Sequence, residues 1–346
     1  MNSAIKIDLY SDTHTVPSAA MRQAIAEAEV GDEQQEADPT TNHLQEMVAN
    51  LLGKERALLL PSGTMCNVIA YRLWCNPGDE VICDKTAHTI HSETGGPAAL
   101  AGAMMRIVDG TRGIFSAEEL SGALRPNKRN APKSRMLSIE NTSNAGGGSV
   151  WPLQTVKAVC DAAHEANLIC HMDGARLLNA VVASQTPASD YAEYLDSIWI
   201  DLSKGLGCPI GAVLAGSNDF IEEAFRLKHL LGGAMRQSGI IAAAGIYALK
   251  HNVDRLAEDH ENAKRLARRL AQIPGINIDV SDVETNLVFF DTTSTGRTAS
   301  EISEALRVEG VFIGAVNETR MRAVTHLNIS ASMVDTAADT IAKVLN

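Results

Sequence analysis

"SIWIDLSKGLG" occupies residues 197–207. An apolar, β-branched run enters this stretch, and a lysine flanked by serine and glycine leaves it. The run reads as a buried strand over 197–203, with Lys204 at its carboxyl end. A lysine in that place must be solvated, paired or covalently used. Outward from it the same alternation repeats. Short apolar runs at 57–60, 80–84, 135–140, 168–173 and 211–217 read as strands, and most are separated by helix-period segments. The order predicts an α/β fold: a three-layer sandwich whose largely parallel sheet is covered by helices on both faces. In such sheets ligands sit beyond the carboxyl ends of the strands. After about His251 the pattern changes. A long amphipathic helix ends at Pro274-Gly275, followed by strand-like "INIDV", "NLVFFD", "VFIGAV" and "AVTHLNIS". The expected organisation is an arm over 1–30, a large domain over 31–250 and a smaller C-terminal α/β domain over 251–346.

Bulk properties bound the partners. A formal charge of −12 argues against a nucleic-acid backbone or an anionic membrane, leaving room for a local basic pocket for one small anion. None of the six cysteines forms a CxxC pair, and several sit in apolar runs, which fits reduced thiols in a cytoplasmic protein. No apolar stretch reaches the roughly 18 residues of a membrane span. The first residues, "MNSAIKIDLY", carry no signal-peptide pattern.

The chemistry-bearing residues fall at the strand ends. Ser62, Gly63 and Thr64 lie between a strand and a helix, where backbone N–H groups can cradle a phosphate. Alone, the turn is an ordinary helix cap. Asp173 ends the strand "LICHMD"; its partner is either nearby Arg176 or a protonated ring nitrogen. With Lys204 these make an anion cradle, a carboxylate and an amine on neighbouring strand ends. Pyridoxal 5'-phosphate requires that set: donors for its phosphate, a carboxylate for its pyridine nitrogen, and a lysine for its aldehyde. His88 in "DKTAHTIHSETGG" offers a flat cover for the ring, with His91 as competitor. His88, His91 and Glu93 lack the HExxH spacing of a helical metal site, and no metal is expected.

Several stretches in chain order carry a resemblance: "DLYSDTHTVPSAAM" (8–21), "LLPSGTMCN" (59–67), "HMDGARLLNAV" (171–181), "DLSKGLGCPIGAVLAGS" (201–217), "GGAMRQSGIIAAAGIYAL" (232–249) and "VTHLNIS" (324–330). Over nearly its whole length the sequence resembles the β-eliminating lyase/threonine aldolase family of pyridoxal-phosphate enzymes, in its low-specificity L-threonine aldolase branch. The resemblance implies fold type I, the fold of aspartate aminotransferase. It implies Lys204 as the lysine that condenses with the cofactor, Asp173 as partner of the ring nitrogen and His88 stacked on the ring. Ser62, Gly63 and Thr64 would hold the phosphate, with Arg236 near it, reaching across a subunit boundary. Ser11, Arg176 and Arg322 would hold the substrate carboxylate. Arginine's planar fork suits a carboxylate, and one arginine from each domain would clamp it. The family further implies a homotetramer with sites at dimer interfaces.

The sequence departs from the family on the substrate side. Ser143 stands where many members have a histidine thought to face the substrate hydroxyl, Gln35 where many have a tyrosine, and His229 where a lysine is common. The hydroxyl base is then His88, a bound water or the cofactor phosphate. The expected reaction is retro-aldol cleavage of an L-3-hydroxy-α-amino acid to glycine and an aldehyde: threonine, allo-threonine or, with Ser143 and Gln35 altering the pocket, phenylserine. The alternatives are β-elimination or racemisation by the same apparatus.

Overall fold

The structure, a computed structural model, describes residues 5–345. Its strands in chain order are β1 (Ile7–Asp8), β2 (Arg56–Leu60), β3 (Glu80–Asp84), β4 (Met104–Val108), β5 (Ser134–Glu140), β6 (Ile169–Gly174), β7 (Ser197–Asp201), β8 (Ala212–Gly216), β9 (Leu287–Asp291), β10 (Val311–Phe312), β11 (Gly314–Ala315) and β12 (Arg320–Val324). Seven of them form one sheet in the order β2-β8-β7-β6-β5-β3-β4. β4, β3, β5, β6 and β7 pair in parallel, and β8 runs antiparallel to both β7 and β2. Every strand of the sheet except β8 therefore delivers its carboxyl end to one edge.

The sheet is covered on both faces, and side-chain alternation shows it. Leu59, Ile198, Ile200 and Val213 join one apolar cluster, while Leu58, Leu60, Trp199 and Leu214 join the other. β3 and β7 are buried at every position, as strands between two helix layers are. β4 is the strand that its sequence does not announce. It lies at the sheet edge with Met104 and Ile107 exposed, so "MMRIV" carries no clean burial pattern.

A second sheet, β11-β12-β9, is antiparallel and backs onto a separate cluster that includes Leu266, Phe290, Ile302 and Ile341. "INIDV" does not add a strand to it. Asn277 makes an isolated bridge to Asp291, and the Asp279 side chain then accepts Ser281 N–H, turning the chain into a short 3-10 helix. The helix Leu256–Leu270 runs from one core to the other, with Leu256 in the first cluster and Ala263, Leu266 and Leu270 in the second.

The N-terminal stretch is what ties the two sheets to the site. β1 pairs in parallel with β10, Ile7 and Leu9 enter the second cluster, and Val324 N–H donates to Leu9 O. The chain leaving this pairing carries Ser11, Asp12 and Thr13 into the gap between the two sheets.

Candidate active site

The strand ends and the residues just past them surround a cavity of about 360 Å3, a size suited to a small-molecule ligand. β2 leads to Ser62, Gly63 and Thr64; β3 to His88; β5 to Glu140; β6 to Asp173 and Arg176; β7 to Trp199, Asp201, Ser203 and Lys204. Ser11 arrives from the N-terminal stretch and Arg322 from β12.

The turn after β7 explains the glycines around Lys204. A Cβ on Gly205 would come 2.9 Å from Leu256 Cδ2, and Gly207 has a φ of +76° while its N–H donates to Lys204 O. The ammonium Nζ lies 2.8 Å from Asp201 Oδ2 and 5.8 Å from the Trp199 ring centroid. Asp201 Oδ1 accepts both the N–H and the hydroxyl of Ser203. One carboxylate thus sets the turn and aims the amine.

Asp173 is 4% exposed. Its Oδ1 accepts Ala175 N–H at 3.0 Å and its Oδ2 accepts the Asn67 amide at 2.9 Å. Arg176, the partner within reach along the sequence, goes elsewhere: its Nε and Nη2 close on Asp12 at 2.7 and 2.8 Å. Among the described residues none forms an ion pair with Asp173. A buried carboxylate without an ion-pair partner is costly, and a protonated pyridine nitrogen would supply one. The rest of the donor set agrees. Ser62 caps the helix Gly63–Trp74 through Met65 N–H, leaving the N–H groups of Gly63 and Thr64 for an anion, with the Ser62 and Thr64 side chains exposed to the cavity. Gly63 lets the turn approach the Trp199 ring closely, because a Cβ there would lie 2.2 Å from Trp199 Cη2.

His88 begins a short helical turn. Its N–H donates to Glu140 Oε2 at 2.9 Å, and its Nδ1 lies 2.8 Å from Glu93 Oε1. The bond to Glu93 raises its pKa above the usual imidazole value; burial opposes this, and Asp173 and Glu140 add to it. Glu140 is register partner of Asp173, and burial followed by that neighbouring charge pushes its carboxyl up to about 7.

Two guanidinium groups face the cavity. Arg176 spends two donors on Asp12, and its Nη1 makes no hydrogen bond among the described residues. Arg322 donates Nη1–H to Asn144 Oδ1 at 3.1 Å, and its pKa is lowered by burial and by the Arg176 cation. Two cations this close call for an anion between them. Ser11 is buried at the same wall, where its Oγ caps Thr13 N–H.

Three residues expected at the site lie outside this cavity. Ser143 is 1% exposed and turned away from it. Its turn is pinned by Ser143 N–H to Ser149 O and Gly148 N–H to Ser143 O, and its Oγ is wedged where a Cβ on Gly113 or Gly146 would fall 2.0 or 2.5 Å away. Asn144, one residue on, lines the cavity instead. Gln35 is exposed on the 3-10 turn Glu33–Gln35. Arg236 is exposed too, paired with Asp32 at 3.1 Å. His229, in the family's lysine position, is also exposed, while neighbouring Lys228 is fully buried on Glu33. Conversely, Asn67, Glu93, Asp201 and Asp12 are site-forming residues that the sequence reading missed. Asn67 had one available cue, a polar residue inside the apolar helix "MCNVIAY".

Sheet, cavity and donor set define a pyridoxal-phosphate enzyme of fold type I. The chain belongs to the β-eliminating lyase family, which it matches over residues 8–293, and is a carbon–carbon lyase. It is 41% identical to the low-specificity L-threonine aldolase of Escherichia coli (strain K12) over 325 residues, 94% of this chain and 95% of that protein. It is 38% identical to low-specificity L-threonine aldolase 1 of Arabidopsis thaliana over 333 residues, 95% and 93% of the two chains. At 30% identity over 352 residues it is similar to alanine racemase TOXG of Cochliobolus carbonum, covering 98% and 88%. In fold it matches a threonine aldolase of Leishmania major with a TM-score of 0.83 at 19% identity, covering 98% and 100% of the two chains.

Proposed function

We propose that the protein cleaves L-3-hydroxy-α-amino acids, threonine and allo-threonine with phenylserine as a further substrate, to glycine and an aldehyde. The observation that carries the reading is one cavity that brings together Lys204, a buried Asp173 without an ion-pair partner among the described residues, and the guanidinium groups of Arg176 and Arg322. Its relationship to low-specificity L-threonine aldolases supports the substrate class.

Pyridoxal phosphate, when bound, supplies an electron-poor ring that accepts the electron pair of the breaking Cα–Cβ bond. The chain's residues do the rest. Gly63 and Thr64 N–H groups and the Ser62 and Thr64 hydroxyls hold the phosphate, and Asp173 holds the ring nitrogen. Lys204 supplies the amine for the cofactor aldehyde. Arg176 Nη1, Arg322 and Ser11 hold the substrate carboxylate and so fix which Cα bond stands ready to break. With Ser143 turned away, His88 is the histidine lining this cavity, and it takes the proton of the β-hydroxyl.

Arg236 and Gln35, exposed here, serve the site of a second copy, in a homotetramer with sites at dimer boundaries. Residues 1–30 form an N-terminal arm, 31–250 the large cofactor-binding domain and 251–346 the smaller C-terminal domain. The protein is cytoplasmic; no helix among the described residues is long and apolar enough to cross a membrane. The test is aldehyde release from L-threonine, L-allo-threonine and L-phenylserine by the holoenzyme. No aldehyde from any of the three would overturn the reading. The similarity to an alanine racemase favours one second reading, proton exchange at Cα, and turnover of L-alanine to D-alanine without aldehyde release would select it.

A further inference from the structure

Glu93 sits beside His88 in the wall of the cavity. It is 4% exposed, lines the cavity, and its Oε2 has no hydrogen-bond partner. Its Oε1 lies 2.8 Å from His88 Nδ1 and 2.8 Å from Asn67 Nδ2. The donors and acceptors around Asn67 can be read in one direction only. Trp199 Nε1 can only donate, and it lies 2.8 Å from Asn67 Oδ1. That fixes the amide, so the Asn67 NH2 group faces Glu93 Oε1 and Asp173 Oδ2 as a donor to both. Glu93 Oε1 is thereby an acceptor, and the remaining contact to it must be His88 Nδ1–H. With its proton on Nδ1, a neutral His88 carries its lone pair on Nε2.

We propose that Glu93 is the positioning residue of the site: it holds His88 in the Nδ1–H tautomer with Nε2 free to take the substrate's hydroxyl proton, and Asn67 ties this pair to Asp173. The proposal deepens the aldolase reading and rests on it for the identity of the proton donor. The charges facing His88 are Glu93, Asp173 and Glu140, all acidic, with Glu93 the strongest influence. A base must be neutral to act, so activity rises with pH through the titration of His88. Removing the Glu93 charge weakens the imidazolium and moves that rise to lower pH.

The experiment compares wild-type holoenzyme with Glu93→Gln, Glu93→Asp and, as control, His91→Asn, which alters an exposed neighbour outside the cavity. Two readouts are taken: kcat/KM for aldehyde release against pH, and the ring-nitrogen resonances of His88 in protein labelled with heavy nitrogen on histidine. Glu93→Gln is expected to move the acidic limb down by about one pH unit and to lower kcat about tenfold or more. KM should change little, because the carboxylate clamp is untouched. Glu93→Asp, which keeps the charge, should leave the limb near its wild-type position, and His91→Asn should leave both readouts unchanged. The resonances should report an Nδ1–H tautomer in wild type and a lower titration midpoint in Glu93→Gln. A wild-type limb and midpoint in Glu93→Gln, or an Nε2–H tautomer in wild type, would overturn the proposal. Wild type without aldehyde release would instead defeat the aldolase reading, and the resonances would still decide the role of Glu93.

Discussion

Asp12→Asn tests the most heavily buried ion pair at the site. Asp12 is fully buried and accepts three hydrogen bonds: Arg176 Nε at 2.7 Å, Arg176 Nη2 at 2.8 Å and Asn286 Nδ2 at 3.1 Å. Burial alone would push its carboxyl up, but the Arg176 guanidinium, with help from Lys204 and Asn286, holds it well below the usual carboxylate range. Asparagine keeps the shape and removes the charge. Arg176, itself 6% exposed, is left as an uncompensated buried cation. Removing one partner of such a pair costs about 3–5 kcal/mol. For 346 residues, an unfolding entropy of about 2.1 cal/mol/K per residue gives roughly 0.7 kcal/mol/K, so the midpoint should fall about 4–7 °C. Thermal unfolding at neutral pH, with and without cofactor, is the assay. Because the folded-state pKa of Asp12 is depressed, its contribution is present above the ordinary carboxylate pKa of about 4 and is lost as pH falls toward the folded value. The gap between wild type and variant should therefore narrow in acid. A midpoint within about 1 °C of wild type at neutral pH would refute this reasoning.

Other perturbations follow from the same packing. Lys228 and Glu33 form a buried pair, and Glu33 also accepts Met235 N–H while donating its own N–H to Arg236 O. Lys228→Met should cost about 3–5 kcal/mol, with Glu33→Gln restoring much of the stability in the double variant; denaturant titrations of all four proteins measure this. Gly63→Ala forces a methyl into the Trp199 ring. It should cost about 1–3 kcal/mol and weaken cofactor binding, read by equilibrium dialysis. Glu140 has a folded-state pKa raised to about 7. Its contribution to apoenzyme stability is full below the ordinary carboxylate pKa and is lost as pH rises through about 7. Glu140→Gln should flatten that decline in unfolding midpoints measured between pH about 4 and 8.

Apart from the half-exposed edge strand β4, the central sheet was legible because its strands are buried on both faces and read as continuous apolar runs: "EVICD" has the boundaries of β3, and "SIWID" opens the run that ends in Lys204. The reversal of β8 was not legible, since "AVLAG" is equally apolar in either direction. "INIDV" alternates like a strand, yet the Asp279 side chain takes the backbone bond a partner strand would need. At the site, residues brought in by strand ends could be named from the sequence, because the topology gathers them on one edge. Asn67 and Glu93 act through side-chain contacts, and Asn67 reaches Asp173 across 106 positions, which no local pattern encodes. Ser143 failed for a related reason: the sequence gives its position in the loop but not the direction its turn sends the hydroxyl.

The claim on which everything else depends is that the Lys204 amine joins the cofactor aldehyde. Borohydride reduction of the holoenzyme followed by peptide mass mapping tests it directly. The account predicts a single stable pyridoxyl adduct on the peptide carrying Lys204, and none in Lys204→Ala. An adduct on another lysine, or none in wild-type enzyme loaded with cofactor, would contradict it.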